Sequence, residues 1–175
     1  MENEQKRNIR FRLQEFYYSV DPNRIFTRDG ITKSLTELGR ISDKAINEVE
    51  KLGQRIIQLI PDEAKIVIAL HNNTEGGFSA KEYAAENRRT KESLKVYLNP
   101  SQDPDDFFLT TDTVLYEKLA DKRFNTILQD NKNCTDDGSL SVYYGKRNFS
   151  YVNLETEHGK TDQYLAMLKI LLSVL

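Results

Sequence analysis

Apolar positions recur with a period of two near the start of the chain. Phe11 and Leu13, then Phe16, Tyr18 and Val20, punctuate a polar, basic stretch, and this spacing predicts a strand or hairpin. DPNRIFTRDG (21–30) follows, with Asp21-Pro22 and Asp29-Gly30 as turn signals. Residues 31–39 read as a short helix ending at Gly39. Ser42 is a good N-cap for a long helix to about Ile60. Ile46, Val49, Ile56 and Ile60 give that helix an apolar face, and Pro61 stops it. Beyond this point the pattern shortens. KIVIAL (65–70) is a continuous apolar run, the signature of a strand buried on both faces. LKVYLN (94–99), FFLTT (107–111), NTILQD (125–130) and SYVNLET (150–156) read as further strands. Asp112 caps a helix to about Lys122, and TDQYLAMLKILLSVL (161–175) reads as a closing amphipathic helix. Strands alternating with helices predict an α/β layered fold, with a central mixed sheet flanked by helices.

Length and composition sharpen this picture. A chain of 175 residues favours one domain, 1–175, and can bury about 70% of its unfolded surface. Hydrophobic residues make up 38% and charged residues 30%, polar for a globular protein but short of a disordered composition. Lys plus Arg is 25 and Asp plus Glu is 27, a net charge of −2, so neither nucleic acid nor an anionic membrane surface is an expected partner. The longest apolar run is too short to span a bilayer. MENEQKRNIRF has no apolar signal core, so the chain as written is expected in the cytoplasm. One cysteine, Cys134, rules out an internal disulfide and a multi-cysteine zinc site. A metal site made by this chain must use His71, His158 or both, with carboxylates.

In sheets of this class, ligands sit beyond the carboxyl ends of the strands, and both histidines are expected there. His71 closes the KIVIAL strand and leads into Asn72-Asn73-Thr74-Glu75-Gly76-Gly77. A neutral imidazole on a rigid strand end is a good zinc ligand; the plainer reading is a capped strand end before a glycine turn. Glu155 and Glu157 are two apart on a strand, so they share a face, and with His158 they form the densest titratable cluster. Paired carboxylates can serve as general base or metal ligand; otherwise they are a solvated strand end. Asp21, Asn23 and Arg24 sit in one turn, where a guanidinium beside an amide suits capture of a carboxylate. The alternative is a turn whose Asp and Asn bond their own backbone. Asp103, Asp105 and Asp106 lack EF-hand spacing and read as a Pro-containing turn. Asp136-Asp137-Gly138 is a second turn, and Arg88, Arg89 and Lys91 form a solvated basic stretch. Tyr143 and Tyr144 are expected to pack rather than to line a pocket. There is no phosphate-binding glycine loop, GxSxG or HExxH, and Cys134 has no evident histidine partner.

DPNRIF (21–26), LHNNT (70–74) and ETEHG (155–159), in that order, resemble the zinc carboxypeptidase superfamily, and most closely its succinylglutamate desuccinylase and aspartoacylase branch. That group has an Asp-x-Asn-Arg turn, a strand ending in Leu-His-Asn-Thr and a strand ending in Glu-x-Gly. The resemblance implies hydrolysis of an amide bond by a zinc-activated water, on a small-molecule or peptide substrate with a free carboxylate. It implies His71 as a zinc ligand, Asn23 and Arg24 on the substrate carboxylate, and Glu157 as general base, with Glu155 as the fallback. The family's His-x-x-Glu motif is absent, since no histidine precedes His71, and Ala69 stands where the family commonly has Asp. Three explanations are open: an N-terminally shortened form of a longer enzyme, a relative that has lost its metal, or a site rebuilt from His71, His158 and a carboxylate such as Glu75 or Glu157. The function expected is a zinc-dependent amide hydrolase or a fragment of one. The alternatives are a metal-free carboxylate-binding module and a cell-wall peptide amidase.

Overall fold

The structure is a computed structural model that describes residues 7–175. Its contacts divide the chain into two compact units, Met1–Ala64 with Thr135–Tyr143, and Lys65–Cys134 with Tyr144–Leu175.

The first unit opens with the expected hairpin, β1 (Ile9–Leu13) antiparallel to β2 (Phe16–Val20). A 3₁₀ turn over Pro22–Arg24 leads into α1 (Arg28–Glu37). This helix starts earlier than the sequence suggests. The Thr27 side chain accepts from the Gly30 amide, so the Asp29-Gly30 pair read as a turn lies inside the first turn of α1. Gly30 is there for space rather than for a turn. A Cβ on it would lie 2.1 Å from the Gly138 Cα. Ser42 caps α2 (Asp43–Ile57) through the Ala45 amide, as expected, and Ala45, Ile46, Val49 and Gly53 are its buried face. Gly53 lets this helix touch the turn that follows the hairpin. A Cβ on it would lie 2.2 Å from the Ile25 carbonyl oxygen.

The second unit is a layered α/β fold around five strands in the order β3-β7-β5-β6-β4. β3 (Ile66–Asn73) runs parallel to β7 (Ser150–Glu157), and β7 runs antiparallel to β5 (Phe107–Thr110). β5 is parallel to β6 (Thr126–Gln129), which is antiparallel to β4 (Ser93–Tyr97). Asp112 caps α3 (Thr113–Asp121) by accepting from the Val114 and Leu115 amides. The short α4 (Leu140–Gly145), which the sequence does not predict, has residues 140–143 in the first unit, and α5 (Thr161–Val174) closes the chain. One face of the sheet, with Val152, Leu154 and Phe108, packs on Leu115 and Leu119 of α3 and on Met167, Leu171 and Val174 of α5. On the other face Phe107, Leu109 and Ile127 pack with Ala80 and Tyr83, from a 3₁₀ turn over Ala80–Tyr83.

The apolar run at 65–70 does not mark a strand buried on both faces. β3 is an edge strand, and Leu70 is 58% exposed. Ile66 and Ile68 supply apolar contact to the helical core, which is what the run records. Among the described residues no helix is long and apolar enough to cross a membrane.

Candidate functional site

Parallel pairing of β3 with β7 sets the register of the candidate site. His71 pairs with Glu155 and Asn73 with Glu157, so these four residues lie on one face at the carboxyl ends of two adjacent strands. His71 is therefore within a strand rather than just beyond one. Its Nδ1 lies 3.4 Å from Glu155 Oε1, with the imidazole about one-third exposed and Glu155 buried. On its other side Glu155 pairs with Phe107, whose ring meets Phe78 edge-on at 5.3 Å. The Asn153 amide, two residues earlier on the same face, donates to Glu155 Oε1 at 2.9 Å. Burial, and secondarily the negative charge of Glu155, push the Tyr164 phenol on α5 up to about 12.

Glu157 has different company. Its carboxylate is held by Lys160 at 3.0 Å, and Lys160 also reaches Asp103 at 3.2 Å. The ammonium is held in its charged form, its pKa raised mainly by the Glu157 hydrogen bond and also by Asp103. Asp103, Asp105 and Glu157 converge here. Asp103 accepts from the Asp105 amide, and this, with Lys160, holds its carboxyl below the usual range. Asp105 accepts from the Gly76 amide at 2.7 Å, and Asn73 donates to the Asp105 and Phe78 carbonyls. The acidic loop is therefore an ordered turn that ties β3, β7 and residues 74–78 together, as its proline pattern suggested. Asp106 points to the helical side and accepts from Thr156, and burial raises its pKa.

His158 is exposed just past β7, where its backbone amide donates to the Asn73 carbonyl. Glu75 is also exposed. Zinc needs three protein ligands drawn from nitrogen, sulfur and carboxylate donors. Among the described residues the one group of three that converges is Asp103, Asp105 and Glu157. It has only oxygen donors, and Lys160 already bridges two of them. The rebuilt set of His71, His158 and Glu75 or Glu157 is not assembled. The described residues thus offer His71 and its neighbour Glu155, which do not complete a zinc site.

The Asp21–Arg24 turn belongs to the first unit. Asp21 accepts from the Asn23 amide at 2.9 Å and pairs with Arg7 at 2.9 Å, so it serves the turn. Arg24 pairs with Asp137 at 3.1 Å, and Gly138 beside it accepts from the Phe26 amide. The Asn23 side chain makes no hydrogen bond among the described residues. Arg89 departs from the expected solvated stretch. It bonds Glu82 and Glu92 and lies over the Phe78 ring at 5.2 Å. Tyr143 and Tyr144 are buried, and Tyr144 stacks on Tyr151. Cys134 is buried.

Sequence reasoning overlooked Asn153. Its signal was a polar residue at an inward position of a strand otherwise dense in apolar side chains, two before a buried glutamate. No family model, no curated protein and no solved structure matches the chain.

Proposed function

We propose that this chain carries reactive side chains of an amide hydrolase of the zinc carboxypeptidase class, acting on a small substrate with a free carboxylate. The observation that supports it is the register pairing of His71 with Glu155, on one face at the ends of two parallel strands. A carboxyl beside an imidazole at a strand end can take a proton from water and return it to a leaving amine. Glu155 suits that task better than Glu157, because Glu157 is engaged by Lys160. The zinc that the resemblance implies would take His71 as a ligand, and the described residues around His71 do not complete its donor set.

The test is hydrolysis of a panel of N-acyl amino acids with and without added zinc, alongside elemental analysis of dialysed protein. Glu155→Gln should lower kcat by ~10²-fold or more, the range for a general base, and Glu157→Gln by less than ~10-fold. Dialysed protein should hold well under one zinc per chain. No hydrolysis of any substrate at saturating zinc would sink the proposal.

The incomplete zinc donor set supports a second reading, a metal-free carboxylate-binding module that uses Asn23 and Arg24. It predicts binding of small carboxylates that a chelator leaves unchanged and that Arg24→Ala abolishes.

A further inference from the structure

We infer that Asn153 is a positioning residue for Glu155, pinning Oε1 of its carboxyl, the oxygen that His71 Nδ1 also approaches, so that Oε2 is left without a protein donor among the described residues. The inference rests on the role given to Glu155 above and deepens it. Asn153 and Glu155 project from the same face of β7, and the Asn153 Nδ2 donates to Glu155 Oε1 at 2.9 Å. The His71 Nδ1 lies 3.4 Å from that same oxygen. Among the described residues none donates to Oε2. The reverse orientation of the Asn153 amide would set two acceptors against each other, so the chemistry fixes which end faces Glu155.

The surroundings of Asn153 show that the amide is not there for packing. Its register partners are Ala69 on β3 and Leu109 on β5, and the residue is 7% exposed. An apolar side chain would suit that slot. Asn153 instead buries an Oδ1 that has no hydrogen-bond partner, a penalty that a leucine would not carry. What the amide gains in return is its bond to Glu155. The Asn153 amide and the His71 imidazole both approach the same carboxyl oxygen, so Oε1 is the end of the carboxyl that the protein holds.

The chain has two histidines, so ¹⁵N-histidine labelling gives two ring systems, which His158→Gln assigns. At alkaline pH, where an imidazole is neutral, the wild-type His71 ring should carry its proton mainly on Nδ1, facing Glu155 Oε1. In Asn153→Leu and Asn153→Asp, each verified as folded by circular dichroism, the His71 shifts should move to the tautomer mixture that His158 shows. An unchanged His71 signature in either folded variant overturns the inference. Loss of fold in both would make Asn153 a structural residue and overturn it equally. Hydrolysis measured on the same samples separates this inference from the reading beneath it. A wild-type protein without activity but with the proton pinned on Nδ1 removes the hydrolase and leaves the positioning intact. In an active wild type, Asn153→Leu should lower kcat at least tenfold with KM within about twofold; an unchanged kcat would overturn the positioning role while the hydrolase stands.

Discussion

Gly53→Ala sets two effects of opposite sign against each other. Alanine is favoured over glycine inside a helix by about 1 kcal/mol, and Gly53 lies in the interior of α2. By propensity alone the substitution stabilises. The structure says otherwise, because the new Cβ would lie 2.2 Å from the Ile25 carbonyl oxygen and 3.2 Å from its carbon. Those are backbone atoms, and no rotamer change relieves them. The helix must retreat by about 0.8 Å before the contact reaches even 3.0 Å. Ile25 is buried, and Arg24 before it is paired with Asp137, so the turn has little room to yield. Overpacking of this kind costs about 1–3 kcal/mol, and a backbone clash on a buried turn belongs at the upper end. The net expectation is destabilisation by about 2 kcal/mol. Urea denaturation followed by far-ultraviolet circular dichroism reads it as a lower midpoint with an unchanged slope. A variant as stable as the wild type, or more stable, would refute the close approach of α2 to this turn.

Two further predictions concern the second unit. Replacing Asn153 and Glu155 together, by Leu and Met, removes a buried donor and acceptor along with the orphaned Asn153 oxygen. Removing both partners at once is near neutral or stabilising, so the urea midpoint should equal or exceed that of the wild type, and a fall of more than ~1 kcal/mol would count against the packing described. Asp103 has its carboxyl lowered first by the Asp105 amide and then by Lys160. A depressed carboxyl gives stability that is present above its unfolded value and lost as pH falls through the folded one. Stability should therefore begin to drop as pH falls below about 5 and keep falling below the ordinary aspartate value of about 3.9, and Asp103→Asn should reduce that drop; an identical pH profile in the variant would refute the link.

Much of the fold was legible because local signals and tertiary packing agree. Ser42 and Asp112 cap helices where their side chains suggested, and the period-two pattern at 11–20 is the hairpin. Where reading failed, the deciding contact was distant in sequence. Asp29-Gly30 looks like a turn, but Thr27 caps a helix across it and Gly138 fills the space that a side chain at position 30 would take. The KIVIAL run reports apolar contact and carries no information about strand order, which pairing with β7 alone decides. The same limit applies to the candidate site. Sequence put Glu155 and Glu157 on one face, but only the register with β3 distinguishes them, setting Glu155 against His71 and Glu157 against Asn73. Asn153 was invisible because its meaning lies in Ala69, Leu109 and Glu155 around it.

The place of β7 in the sheet also has a consequence for how the chain is made. The last strand in sequence is inserted between β3 and β5, the first and third strands of the same sheet. During vectorial synthesis these two strands emerge early and must wait, each with an open hydrogen-bonding edge, until residues 150–157 have left the ribosome. Open edges of apolar strands are templates for pairing with other chains. The segments around KIVIAL and FFLTT are thus the ones a nascent-chain chaperone would need to shield. A ribosome stalled before residue 150 should hold a second unit that is split into two unjoined halves, open to proteolysis at both.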